Sequence, residues 1–170
     1  MQKRITLLRH AKSSWKNASL ADHDRPLNRR GSKAAPDMGK RLAGLGARPS
    51  LLLTSPAKRA RETAQLIARE LNYPLECIQS ETELYLAPPA AILQVIARQD
   101  SGFSDVMLCG HNPGIMELAN QLGDSNIANL PTCGVVGIEL EINEGVEIVA
   151  ADGKTVFFDY PKNQTHTKRG

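Results

Sequence analysis

Aromatic residues are scarce: one tryptophan, three tyrosines and three phenylalanines make up 4% of the 170 residues. Single-stranded nucleic acid is gripped on aromatic platforms, so that class of partner is poorly supplied. Cysteine is equally sparse. Cys77, Cys109 and Cys133 are odd in number and show no C-x-x-C spacing, which excludes a disulfide framework. They read as reduced, small apolar residues of a cytoplasmic protein; a zinc site built from them is the alternative. No apolar stretch approaches a membrane span. The apolar run after Met1-Gln2-Lys3-Arg4 is too short for a signal-peptide core. The expectation is a cytoplasmic protein with neither membrane nor nucleic acid among its partners.

What is present suffices for a single domain over 1–170, with a loose tail over 161–170. Hydrophobic residues are 41% and charged residues 23% of the chain, enough to bury a core without metal or disulfides. The net charge of +3 is small, but its distribution is uneven. Residues 1–70 hold 16 Lys+Arg against 5 Asp+Glu, and residues 71–170 hold 5 against 13. The first half therefore offers an anion-attracting surface, unless the acidic half neutralises it on packing.

Apolar runs punctuated by helix signals predict an α/β chain. Ile5–Leu8 has the length of a buried strand and is followed at once by Arg9, His10, Lys12, Ser13 and Ser14. Taken alone, that polar tip also fits a surface loop. The segment 22–31 reads as a loop by its Asp, Pro, Asn and Gly; His23 between two aspartates is a metal-like fragment or a solvated histidine. A helix is predicted over Lys33–Leu45, its start blurred by Pro36. A strand over Ser50–Thr54 runs into Ser55-Pro56, which reads as an N-cap and first helical residue. The helix beyond it reaches Leu71, with Ala60, Ala64, Ile67 and Ala68 on its buried stripe. Arg59 lies off that stripe.

A weak strand over Leu75–Ile78, a connector through Glu81–Tyr85 and a helix from Pro88-Pro89 come next. The strand Ser104–Cys109 ends in Gly110-His111-Asn112-Pro113-Gly114, where Asn112 can cap and Pro113 can begin the next helix. That helix stops at Gly123. From Gly134 onward, alternation at Val136, Ile138, Leu140 and Ile142, at Val146, Ile148 and Ala150, and at Val156 and Phe158 predicts an antiparallel meander.

Three times a strand ends and a cationic or imidazole group follows before a helix: at Arg9-His10, at Ser55 with Arg59, and at His111. Open α/β sheets bind ligands outside the C-terminal ends of their strands, where helix N-termini favour anions. Two arginines and two histidines delivered there suit a phosphoryl group.

Leu8-Arg9-His10-Ala11-Lys12-Ser13, Ser55-Pro56-Ala57-Lys58-Arg59-Ala60-Arg61-Glu62-Thr63-Ala64 and Gly110-His111-Asn112-Pro113-Gly114 together resemble the histidine phosphatase (phosphoglycerate mutase-like) superfamily. Asp24-Arg25-Pro26-Leu27 through Gly31, Leu84-Tyr85 and Leu130-Pro131-Thr132 resemble its small SixA-type phosphohistidine phosphatases. The resemblance implies a three-layer α/β sandwich with a mostly parallel sheet and antiparallel C-terminal strands. It implies His10 as the nucleophile, with Arg9, Arg59 and His111 clamping the phosphoryl oxygens and no metal or other cofactor. Lys12, Ser13 and Arg25 are candidate substrate-binding residues.

One departure matters. Many members carry a carboxylic acid for the leaving oxygen, and Asn112 after His111 closes one of its usual places; Glu83 and Glu81 are the remaining candidates. A phosphoramidate needs such an acid less than an alkyl ester does. The favoured substrate is protein phosphohistidine. A phosphatase for a small phosphomonoester metabolite and a non-catalytic phosphate-binding module are the alternatives.

Overall fold

The computed structural model describes residues 2–142, 148 and 152–163. Its six-stranded sheet runs in the order β3-β2-β4-β1-β5-β6, with β1 at Gln2–Arg9, β2 at Leu51–Thr54, β3 at Gln79–Ser80, β4 at Asp105–Gly110, β5 at Val135–Glu141 and β6 at Gly153–Asp159. The first four are mutually parallel, and β5 and β6 are antiparallel additions beside β1.

Successive side chains of a strand leave opposite faces, which is why the central strands are apolar runs rather than alternations. Ile5, Leu7, Leu53, Val106 and Leu108 pack on one side against α3 (Pro89–Ala97) and α4 (Gly114–Leu122). Leu8, Leu52, Met107 and Cys109 pack on the other against α1 (Arg29–Gly44) and α2 (Lys58–Glu70). The result is the three-layer sandwich expected. Among the described residues, no helix is long and apolar enough to cross a membrane.

Several boundaries differ from the sequence expectation. α1 starts at Arg29 rather than Lys33, because the Asn28 side chain accepts from the Gly31 N–H and caps it there; Pro36 is inside the helix. A Cβ on Gly31 would sit 2.2 Å from the Lys12 carbonyl oxygen, so glycine is what lets α1 approach the loop after β1. Ser55 is not an N-cap. α2 begins at Lys58 after Ala57, and the Ser55 hydroxyl accepts from the Ala57 N–H just ahead of it while meeting His111 Nε2. Leu75–Cys77 is a 3₁₀ turn, and the strand predicted there is only Gln79–Ser80.

Asn112 does not cap α4 either; its amide donates to the Leu130 carbonyl. In β6 the register shifts opposite Gly137/Ile138, leaving Val156 without a partner and exposed rather than buried. The segment Pro161–Asn163 is not loose, since the Arg41 guanidinium donates to the carbonyls of Tyr160, Pro161 and Asn163. The turn at Glu144-Gly145 and the alternation at Val146 and Ala150 lie outside the described residues, as does the tail beyond Asn163.

Candidate active site

Parallel register assembles the site. Leu8 pairs with Cys109, and Cys109 with Thr54, so the residues just past these strand ends arrive at one level. The His10 N–H donates to the Gly110 carbonyl and the Ser55 N–H to that of Cys109. His10, His111 and Ser55 are thereby brought to one edge. The imidazoles lie with ring centroids 5.1 Å apart at 58°.

Arg59 reaches the same place from the first turn of α2. Thr63 fixes that turn by donating to the Arg59 carbonyl and accepting from the Ala11 N–H. The Arg59 side chain is 3% exposed. Its Nε donates to His10 Nε2 at 3.4 Å, and its Nη2 is 3.5 Å from His111 Nδ1. Far from being a surface charge, it is the cation between the two rings. Arg9 is near enough for its charge to act on His10, and its Nη1 donates to the Leu130 carbonyl at 2.9 Å. Its Nε is buried with no partner among the described residues, an unsatisfied donor of the kind an oxyanion would take up.

The ring nitrogens have distinct partners. His10 Nδ1 is 2.7 Å from the Ala11 carbonyl oxygen. A carbonyl only accepts, so Nδ1 carries the proton and Nε2 presents its lone pair to the cradle. Burial, then the cations Arg59, Arg9 and Arg25, push the His10 pKa down to about 4. Burial first, then His10 and Arg59, push that of His111 down to about 3. Both rings are neutral at pH 7. His111 Nε2 is 2.7 Å from the Ser55 hydroxyl, which also accepts from the Ala57 N–H.

Sequence reasoning missed the carboxylate. Asp22, in a segment read as a loop without a role for this residue, accepts from Arg59 Nη2 at 3.0 Å, and its carbonyl accepts from Nη1 at 2.7 Å. Its other carboxylate oxygen takes Arg25 Nη2 at 3.0 Å, and Tyr85 donates its hydroxyl to the first. These bonds, the Tyr85 hydroxyl foremost, hold Asp22 ionised far below the usual carboxylate range. The Tyr85 ring also meets His111 edge-on at 5.5 Å. Ser55 and Tyr85 were legible only as a cap and a connector.

The remaining candidates divide. Arg25 donates to Ser13 Oγ at 2.6 Å, placing both one step out from the cradle behind Asp22. Lys12 lines a separate hollow of about 800 Å³ with Arg30, Lys33 and Tyr160, which includes neither imidazole. Glu81 and Glu83 both pair with Arg98. Among the described residues, no group of three or more His, Cys, Asp or Glu side chains could hold a metal ion. The three cysteines are free, and His23 meets Asp24 and the Tyr85 ring.

Two neutral imidazoles and two guanidiniums around one small volume can hold a tetrahedral oxyanion with a nucleophilic nitrogen beneath it. The model of the histidine phosphatase superfamily (branch 1) matches residues 5–85, the span holding Arg9, His10, Asp22, Ser55, Arg59 and Tyr85. An uncharacterized chloroplastic protein of Arabidopsis thaliana is 31% identical over 167 residues, covering 90% of this chain and 73% of that one.

The chain belongs to the histidine phosphatase superfamily.

Among solved superfamily folds, the SixA protein of Agrobacterium tumefaciens superposes with a TM-score of 0.78 at 28% identity, covering 94% of this chain and 98% of the other. A protein histidine phosphatase SixA complexed with tungstate gives 0.72 at 21% identity, with coverages of 95% and 97%; at that identity the likeness is one of fold. His111 lies beyond the span of the superfamily model and reaches the cradle from the end of β4.

Proposed function

We propose that this chain is a metal-independent phosphatase that hydrolyses protein phosphohistidine through a phosphorylated His10. The observation that carries the reading is the neutral His10 ring, its Nδ1 proton given to the Ala11 carbonyl and its Nε2 lone pair facing Arg59 and His111. Nε2 attacks phosphorus in line. The P–N bond to the substrate imidazole breaks, and that nitrogen leaves as neutral imidazole after taking a proton from solvent. Water then attacks the phosphorus on His10, the second P–N bond breaks, and orthophosphate departs while the water's protons go to phosphate and solvent.

Arg9 and Arg59 hold the equatorial oxygens, and His111, oriented by Ser55, supplies a further polar contact. Each such clamp is worth about 10²–10³ in rate. The disposition of acids favours a phosphoramidate over an alkyl ester. Glu81 and Glu83 are committed to Arg98, and Asp22 is ionised and cannot donate. A phosphoryl-imidazole can lose its amine with solvent protonation, whereas an alkoxide needs an enzymic acid.

The test uses free phosphohistidine and an alkyl phosphate, each with and without EDTA, quenched to trap an acid-labile phosphoenzyme. Phosphohistidine turns over faster, EDTA changes little, and His10→Ala carries no label. Faster turnover of the alkyl phosphate, or labelling that survives His10→Ala, would sink the reading.

A further inference from the structure

We propose that the Asp22 loop and the turn after Tyr85 form a docking rim for the protein that carries the phosphohistidine, recognising an apolar surface bordered by acidic residues. The proposal rests on the phosphohistidine reading above. Its starting point is an anomaly of exposure. Among the described residues, the exposed large hydrophobics are Trp15, Leu20, Leu75, Leu86 and Val156. Leu75 and Val156 sit singly on remote turns and edges, which is ordinary for a protein surface. The other three are linked to one carboxylate, that of Asp22, through a contact or through the chain.

Trp15 is the only tryptophan of the chain and is 77% exposed. The Arg25 guanidinium lies over its ring at 3.6 Å from the centroid. That guanidinium is itself fixed by Asp22 and Ser13, so the indole is held at the surface on a rigid support. Tyr85 donates to the other oxygen of the same Asp22 carboxylate. The next residue, Leu86, is 57% exposed and has a φ of +51°.

A leucine in the left-handed region is costly, and strained residues of this kind cluster at ligand clamps. Here the strained backbone holds an apolar side chain in water, which does nothing for the fold. Leu20 lies two residues before Asp22 and is also exposed. Asp22 in turn holds Arg59. Trp15 through Arg25, Leu86 through its neighbour Tyr85, and Leu20 by its place in the chain are thus tied to the residue that holds Arg59.

Charge selects the occupant. Lys16, beside Trp15, and Lys58, beside Arg59, are exposed and make no ion pair with a carboxylate among the described residues. Exposed apolar residues with two such cations next to them in the chain, against the exposed carboxylate of Asp24 in the same turn, fit a protein surface with leucine-like and acidic side chains around its phosphohistidine. Free phosphohistidine carries no flanking side chains for the rim to meet.

The test measures kcat and KM on three substrates. These are free phosphohistidine, a phosphohistidine peptide flanked by Leu and Glu, and one of equal length flanked by Ser and Lys. The Leu/Glu peptide is expected to exceed the Ser/Lys peptide by about tenfold in kcat/KM. Trp15→Ala and Leu86→Gly each remove most of that advantage through KM, leaving free phosphohistidine within about twofold of its original rate.

Leu86→Gly separates docking from folding, because glycine relieves the backbone strain and stability does not fall while peptide affinity does. Equal kcat/KM for the two peptides overturns the rim. So does a variant that slows free phosphohistidine as much as peptide. No turnover of free phosphohistidine by the unaltered protein overturns the phosphatase reading, and the rim falls with it.

Discussion

Lowering the pH from 7.5 to 4.5 removes stability from this fold in an amount set by two buried imidazoles. His10 and His111 are 8% and 3% exposed, with pKa values pushed from 6.5 down to about 4 and about 3. As pH falls, the unfolded chain takes up protons before the folded one does. Stability is therefore whole above about pH 6.5 and is lost as pH descends toward the folded values. At 1.36 kcal/mol per unit, the loss at pH 4.5 is about 2.5 kcal/mol for each ring. The pair costs about 5 kcal/mol, comparable to the whole stability of a marginal domain. Asp22 acts in a separate window: its carboxylate is held below 3.8, so its contribution is lost only as pH falls below that value. Urea melts at the two pH values, on the unaltered protein and on His10→Gln and His111→Gln, read the effect directly. Each variant is expected to lose about half as much as the parent. Equal loss in all three proteins would refute the claim that these rings are buried and neutral, and the nucleophile argument with it.

Ser55→Ala leaves His111 Nε2 without its buried partner, and kcat/KM is expected to fall about tenfold. Ser55→Thr, which restores a hydroxyl, should recover part of the loss in the same steady-state assay. Gly114→Ala would place a Cβ 1.9 Å from the Ala87 carbonyl oxygen, and a urea midpoint should report about 2–3 kcal/mol of destabilisation. Gly44→Ala is the control. Its Cβ would meet nothing within 4 Å, so stability is expected to rise by up to about 1 kcal/mol.

The sheet and the cradle were legible in the chain for different reasons. Leu51–Thr54 and Asp105–Gly110 are buried on both faces and so declare themselves as continuous apolar runs. Parallel register then makes the residue after each strand end a neighbour of the others, which is why the chain alone groups Arg9-His10, Ser55 and His111. What failed was orientation. Ser55-Pro56 carries every local signal of a helix start, but the hydroxyl has a buried imidazole within reach, and α2 begins at Lys58. Asp22 was lost among ordinary loop residues because the segment from Asn17 to Asn28 has no period to say which way a side chain points. Its signal was chemical: Arg25 three residues on, and a basic half short of carboxylates.

Asp22 also raises a problem whose answer is testable. A fixed negative charge beside an anion site weakens anion binding, yet this carboxylate is tied to Arg59, Arg25 and Tyr85. Its advantage must be geometric. Without it, Arg59 keeps its charge but loses the two-point grip of the Asp22 carboxylate and carbonyl on its fork, and drifts from the line between His10 and His111. Asp22→Asn separates the two effects, since the amide leaves the backbone contact in place and removes the charge. Orthophosphate, used as a competitive inhibitor, is expected to bind about tenfold tighter to the variant, the order of one screened unit charge at a few ångströms. kcat on phosphohistidine should fall in the same protein, because a neutral amide grips Arg59 Nη2 more weakly than the carboxylate, and a loosened clamp stabilises the charge of transfer less. If phosphate binds the asparagine variant more weakly while kcat holds, the carboxylate is doing the opposite of what its contacts imply, and the cradle must be held together by Thr63 and the α2 backbone instead.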